Sequence, residues 1–196
     1  MAKYQPRDKY YRKAREQGLP SRAAFKLEEL IARIKLPPDA RVIDFGCAPG
    51  GWLAILGAVV SRNGRVIGID LAPCANFGAS VETIVADIRD PKLPEILREK
   101  LGRLADLITS DLSPKLTGIR ERDDAQFEEL IDAALAIASR TLKPGGTMIA
   151  KLFMSGAFKE ILARFEKHFA SLDVTKVKAS RPGSSELYVI ARGFRG

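Results

Sequence analysis

The chain has 196 residues, 46% hydrophobic and 29% charged, with 32 Lys and Arg against 24 Asp and Glu for a net charge of +8. That length builds one well-buried core rather than two comfortable domains, and the balance excludes a disordered or fibrous chain. The longest apolar run, "WLAILGAVV", is far short of the ~20 residues that span a bilayer, and the charged start "MAKYQPRDKYYRKAR" has no hydrophobic signal block. A single cytoplasmic domain over residues 1–196, with no membrane contact, is therefore expected.

The positive charge is concentrated at the start. Residues 1–22 carry Lys3, Arg7, Lys9, Arg12, Lys13, Arg15 and Arg22 against Asp8 and Glu16, with Tyr4, Tyr10 and Tyr11 interleaved. Cations displace counterions from a phosphate backbone and aromatic rings stack on unpaired bases, so an RNA-binding segment is expected. The plain alternative is a solvated tail. The stretch "SRAAFKLEELIARI" then opens on Ser21 as a helix N-cap and spaces Phe25, Leu30 and Ile34 toward one face.

From residue 41 onward short β-rich runs alternate with helical patterns, which predicts a parallel sheet covered by helices on both faces. The runs are "RVIDFG", "GRVIGID", "VETIVAD", "LADLITSD" and "TMIAKLF", then two consecutive ones, "SLDVTKVKA" and "SELYVIARG", joined by the turn-rich "SRPGSS". The last two are expected as an antiparallel pair at the sheet edge. The long amphipathic pattern "DDAQFEELIDAALAIASRTLK" stops at "PGG", a helix terminator.

Cys47 and Cys74 stand apart without C-x-x-C spacing, and His168, the sole histidine, falls on an apparent surface helix. No metal site, disulfide framework or histidine triad is indicated. Any catalysis is left to Lys, Asp, Glu or a cofactor.

The loop "DFGCAPGGW" follows the first strand and opens the first crossover helix, where doubly wound sheets bind nucleotides. It is neither G-x-G-x-x-G nor a Walker loop, so a pyrophosphate ligand is disfavoured. Asp70 ends the next strand, where an acidic side chain accepts from ribose hydroxyls, and Asp87 ends the third, where it meets an adenine amino group. A glycine loop and two acids describe a nucleoside pocket without a phosphate demand. S-adenosylmethionine is such a ligand. For either acid alone, a strand-end residue capping a loop is the bland alternative.

Lys151 raises a separate question, because Thr147 to Met154 is otherwise uncharged and reads as a buried strand. A lysine there is costly unless it snorkels, finds a partner or loses its proton.

The segments "DFGCAPGGW", "SDLSPKLTG", "AKLF" and "SSELY", with "SRAAFKL" before them, resemble the FtsJ group (RrmJ, RlmE) of ribose 2'-O-methyltransferases over nearly the whole chain. The resemblance implies a Rossmann-like methyltransferase fold with a seven-stranded, mostly parallel sheet and an antiparallel last strand. It implies S-adenosylmethionine as donor and an RNA ribose as acceptor, in bacterial members a uridine in the A-loop of large-subunit ribosomal RNA. It places the catalytic tetrad at Lys26, Asp111, Lys151 and Glu186, and it assigns Gly46, Gly50 and Trp52 to the cofactor loop, with Asp111 also near the methyl group. Trp52 has an alternative as a packing residue. Lys115, Arg120 and Arg122 belong to the rim, facing RNA phosphates or solvent.

A ribose hydroxyl is a poor acid, so methyl transfer to it needs a base. A lysine in a desolvated pocket or beside other cations can release its proton, which makes Lys151 the candidate base. The same chemistry on tRNA or an mRNA cap, a noncatalytic ribosome assembly factor and a small-molecule methyltransferase are the rival readings, and a monomer is the default state.

Overall fold

The computed structural model describes residues 9–75, 77–115, 117–181 and 183–196. The basic segment contributes helix α1 (Lys9–Glu16), followed by α2 (Ala23–Ile31). Then come β1 (Arg41–Phe45), α3 (Gly51–Val59), β2 (Arg65–Asp70), β3 (Val81–Val85), α4 (Leu93–Leu101) and β4 (Ala105–Ser110). The chain closes with α5 (Arg120–Thr141), β5 (Leu142–Phe153), α6 (Phe158–His168), β6 (Phe169–Thr175) and β7 (Glu186–Phe194). Lys3, Tyr4, Arg7 and the rest of residues 1–8 lie outside the described residues.

The seven strands form one sheet in the order β3-β2-β1-β4-β5-β7-β6. All the pairings from β3 to β5 are parallel, whereas β7 runs antiparallel to both β5 and β6. This is the expected mostly parallel sheet with an antiparallel last strand. The outermost strand on that side is β6, so β7 is inserted beside β5 and brings Tyr188 opposite Lys151 and Glu186 opposite Phe153.

Alternation along each strand divides the core between two faces. Val42, Val66, Leu107, Ile149 and Ile190 meet Leu27 and Leu30 of α2 and Trp52, Leu53 and Leu56 of α3. Ile43, Ile67 and Ile108 meet α4, α5 and α6 through residues such as Leu97, Ile131 and Phe165. Strands buried on both faces read as nearly continuous apolar runs, which is why the central ones were conspicuous in the sequence. Among the described residues no helix is long and apolar enough to cross a membrane.

Three local expectations change. Helix α5 ends at Thr141, and Pro144–Gly146 falls inside β5, where the register against β4 is irregular. The helix stops before the glycines because Leu142 turns extended to bury its side chain. Helix α2 is preceded by Arg22, which makes no side-chain cap, while the Ser21 hydroxyl accepts from Ala23 N–H at 3.3 Å. Phe25 does not share the face of Leu30: it packs with Ala14 of α1 and Ala179, with Tyr10 and Leu19 alongside. The Tyr10 ring lies 5.8 Å from that of Phe25, so this tyrosine docks α1 onto the body.

Candidate active site

The strand order reverses between β1 and β4, and a cavity of about 580 Å³ opens there at the carboxyl ends of the strands. Gly46, Asp70, Asp87, Asp111 and Lys115 all line it. Gly46 has φ +74°, and a Cβ there would stand 3.1–3.3 Å from the backbone of Asp111 and Leu112. Glycine therefore lets the loop after β1 lie directly on the loop after β4.

Asp70 fastens two loops at once. Its carboxylate accepts from Ala48 N–H at 2.9 Å and from Ala72 N–H at 2.9 Å. Beside it, the Cys47 and Cys74 sulfurs are 3.4 Å apart, a thiol contact between the same two loops, and burial pushes both thiols up. Asp87 is gripped by Arg89, whose guanidinium donates to its two oxygens at 2.9 and 2.6 Å. These hydrogen bonds, with that of the Arg89 backbone N–H, hold the Asp87 carboxyl down to about 2.

Gly50 and Trp52 do not line this cavity. Gly50 precedes α3 with φ +109°, and a Cβ there would overlap the Phe77 ring. Trp52 is 3% exposed, its indole N–H donates to the Ala23 carbonyl at 2.9 Å, and its ring lies 6.0 Å from Tyr188. It is a packing residue that joins α3 to α2, because its place on the first turn faces the second helix rather than the strand ends.

Lys26 on α2, Asp111 in the loop after β4, Lys151 on β5 and Glu186 on β7 form two ion pairs. The Lys151 ammonium donates to the Asp111 carbonyl at 2.8 Å and stands 3.0 Å from its carboxylate. Lys26 lies 2.7 Å from Glu186, which also accepts from the Ser180 hydroxyl at 2.7 Å. Burial pushes the Glu186 carboxyl up, but Lys26, Ser180 and Lys151 outweigh it and hold it below its ordinary value. Lys151 is thus tolerated in an apolar strand because its head reaches the strand end and finds a partner.

Tyr188 links the pairs. Its ring is fully buried, its hydroxyl donates to Asp111 at 3.3 Å, and the Lys26 ammonium lies 5.8 Å from the ring centre. Burial and the neighbouring Asp111 and Glu186 carboxylates push the phenol far up. The role of Tyr188 was missed in the sequence, although it sits two residues after Glu186 in "SSELY".

Asp44 was missed as well. It is completely buried, accepts from Thr109 at 2.7 Å through one oxygen, and leaves the other without a hydrogen-bond partner. Burial pushes its carboxyl up to about 8. The signal was a charge inside the apolar run "RVIDF", beneath the cavity loop. Of the expected rim cations, Lys115 reaches the cavity, Arg120 pairs loosely with Asp124 at 3.8 Å, and Arg122 is exposed on the first turn of α5. Among the described residues no group of three His, Cys, Asp or Glu is arranged to hold a metal.

This arrangement offers a cavity bordered by carboxylates, one of which, Asp111, is ion-paired with Lys151 behind it. The sequence profile of the FtsJ-like methyltransferases matches residues 19–194. The chain is 44% identical to the ribosomal RNA large subunit methyltransferase E of Methanoculleus marisnigri, covering 97% of this chain and 93% of the relative. The protein of the same name from Anaeromyxobacter dehalogenans is 42% identical, over 100% of this chain and 74% of its own length. In three dimensions a Plasmodium falciparum protein assigned as a ribosomal RNA methyltransferase superposes with a TM-score of 0.78 at 26% identity, covering 90% of this chain and 99% of that one.

Proposed function

The chain belongs to the FtsJ-like methyltransferase family, and from that premise we propose that it transfers a methyl group from S-adenosylmethionine to a ribose 2'-hydroxyl of large-subunit ribosomal RNA. A uridine of the A-loop is the proposed acceptor. The observation that carries this reading is the Asp111–Lys151 pair, which puts a carboxylate on the cavity and an amine immediately behind it.

The cavity fits the donor. Asp70 retains acceptor capacity for ribose hydroxyls beyond its two backbone bonds, Asp87 borders the far end, and Gly46 leaves the approach free of a side chain. The cofactor supplies an activated methyl group on a cationic sulfur. With the sulfonium as a second cation beside it, Asp111 would hold the Lys151 ammonium less tightly; Lys151 would then release one proton to solvent and, as the neutral amine, take the proton of the ribose hydroxyl as that oxygen accepts the methyl group. Glu186 and Lys26 orient the ribose, with Ser180 and Tyr188 holding them in place. Lys9, Arg12, Lys13 and Arg15 of α1 are charges for the RNA backbone.

The test is incubation with methyl-labelled S-adenosylmethionine and, separately, large ribosomal subunits, naked ribosomal RNA and tRNA from methylation-deficient cells, with Lys151→Ala alongside. Label in 2'-O-methyluridine of large-subunit RNA, lost in the variant, is the expected result. Label confined to tRNA moves the substrate to a sibling branch. No label despite cofactor binding turns the chain into an assembly factor.

A further inference from the structure

Behind the lysine–aspartate pair lies a second cavity, also about 580 Å³, bordered by Lys151, Phe153, Met154, Ser185 and Glu186. We propose that it receives the base of the acceptor nucleotide, swung out of its stack. This rests on the ribose methylation proposed above.

The two cavities share Ser113 and Pro114 as a common wall; Asp111 borders only the first, Lys151 and Glu186 only the second. A methyl donor in the first leaves the second as the side from which a ribose reaches Lys151. The base is bonded to C1', next to the reacting 2'-oxygen, so a ribose delivered there carries its base into the same cavity.

The lining suits a base. The Phe153 ring stands edge-on to Phe127 at 5.0 Å, with the Lys151 ammonium 5.6 Å from its centre. Met154 is 58% exposed at the mouth, an adaptable apolar surface left uncovered beside polar groups. Ser155 and Ser185 border the same space and supply hydroxyls for the polar edge of a base. Asp123 and Asp124 in the lining disfavour a phosphate inside the cavity, while the exposed Arg120 at its border offers a charge to the backbone. Asp123 accepts from Thr117 and Gly118, which ties the loop after β4 to the start of α5 and makes the wall a built one. A base still paired and stacked in a helix cannot enter such a space, so the acceptor must be unpaired or flipped.

The experiment is a cycle of protein variants against two RNAs, one intact and one carrying an abasic ribose at the target with its 2'-hydroxyl retained. Wild type is expected to prefer the intact RNA by about tenfold in kcat/KM, the order of one base contact on aromatic and apolar side chains. Met154→Ala and Phe153→Leu each erase much of that preference, raise the KM for intact RNA, and keep the dissociation constant for S-adenosylmethionine. Met154 is the exposed partner, so its variant tests the site even where Phe153→Leu perturbs folding. Equal losses on both RNAs, or no loss on either, overturn the base site and leave ribose methylation standing. Failure of wild type to label any ribose overturns both.

Discussion

The two sides of the active cleft are held together in different ways. On the proposed cofactor side the ties stay within adjacent strand-end loops: Asp70 is held by backbone N–H groups just beyond the ends of β1 and β2, and Asp87 by Arg89 two residues on. On the proposed acceptor side the partners are remote in sequence, Lys26 with Glu186 and Lys151 with Asp111. Local ties make a preformed cradle. Remote ion pairs make groups that can exchange one partner for another when a substrate arrives, at the cost of a site that exists only in the folded chain.

The largest effect follows from breaking the acceptor side. Lys151→Ala removes the proposed base, and a loss of about 10³ in kcat is expected, within the range general bases supply. Asp70 and Asp87 keep their hydrogen bonds and Asp111 keeps that of the Tyr188 hydroxyl, so cofactor affinity by calorimetry stays near wild type. A variant that kept its turnover would end the assignment of Lys151 as base.

Glu186→Gln separates the remote pairing from the chemistry. Lys26 and Glu186 are each only 12% exposed, so the variant leaves an almost buried ammonium without its counter-charge and costs about 3 kcal/mol. The folded-state carboxyl is depressed from its ordinary 4.5, so its stabilisation is complete above that value and is lost as pH falls through the lower folded value. Wild type and variant melting temperatures should therefore converge on acidification below about pH 4.5. A constant gap across that window would mean that Glu186 stabilises by packing alone.

The same contrast explains what the sequence disclosed. The cradle was legible because its pieces are short strings at strand ends, and alternating strands and helices place strand ends together whatever the distant chain does. Lys151 was conspicuous for being charged in an apolar strand, but its partner was not deducible from that strand. The pairing of Lys26 with Glu186 spans 160 positions and depends on β7 inserting beside β5, an order that hydrophobic patterns do not specify. Family resemblance supplied those four residues; spacing alone did not. The expectation about Phe25 failed for a related reason: its partners Ala14 and Ala179 come from opposite ends of the chain.

Asp44 belongs to neither pattern, being an acid of the parallel sheet with half its hydrogen-bonding capacity unused. Because burial raises its folded-state value from 3.8 to about 8, the folded protein holds a proton that the unfolded chain releases, and stability falls as pH rises between those values. Asp44→Asn keeps the acceptor for Thr109 and removes the titration. It should flatten that decline and raise the melting temperature at pH 8 by about 3 °C, equivalent to ~1 kcal/mol for a chain of this size. An unchanged pH profile would show that Asp44 is not the titrating group.

Trp52 gives the smallest effect and the sharpest test of where the cradle ends. Its motif position assigned it to the cofactor, whereas its indole is buried between α3 and α2 and bonded to the Ala23 carbonyl. Trp52→Phe keeps an aromatic ring in the core and deletes one hydrogen bond, so about 1 kcal/mol of stability is lost. The dissociation constant for S-adenosylmethionine should stay within about twofold, because no atom of Trp52 borders the cavity. A tenfold weakening with little change in stability would extend the cradle into α3 and return Trp52 to the cofactor side. Stability loss without that weakening fixes the boundary at the loop before the helix, where Gly46 and Ala48 meet Asp111 and Asp70.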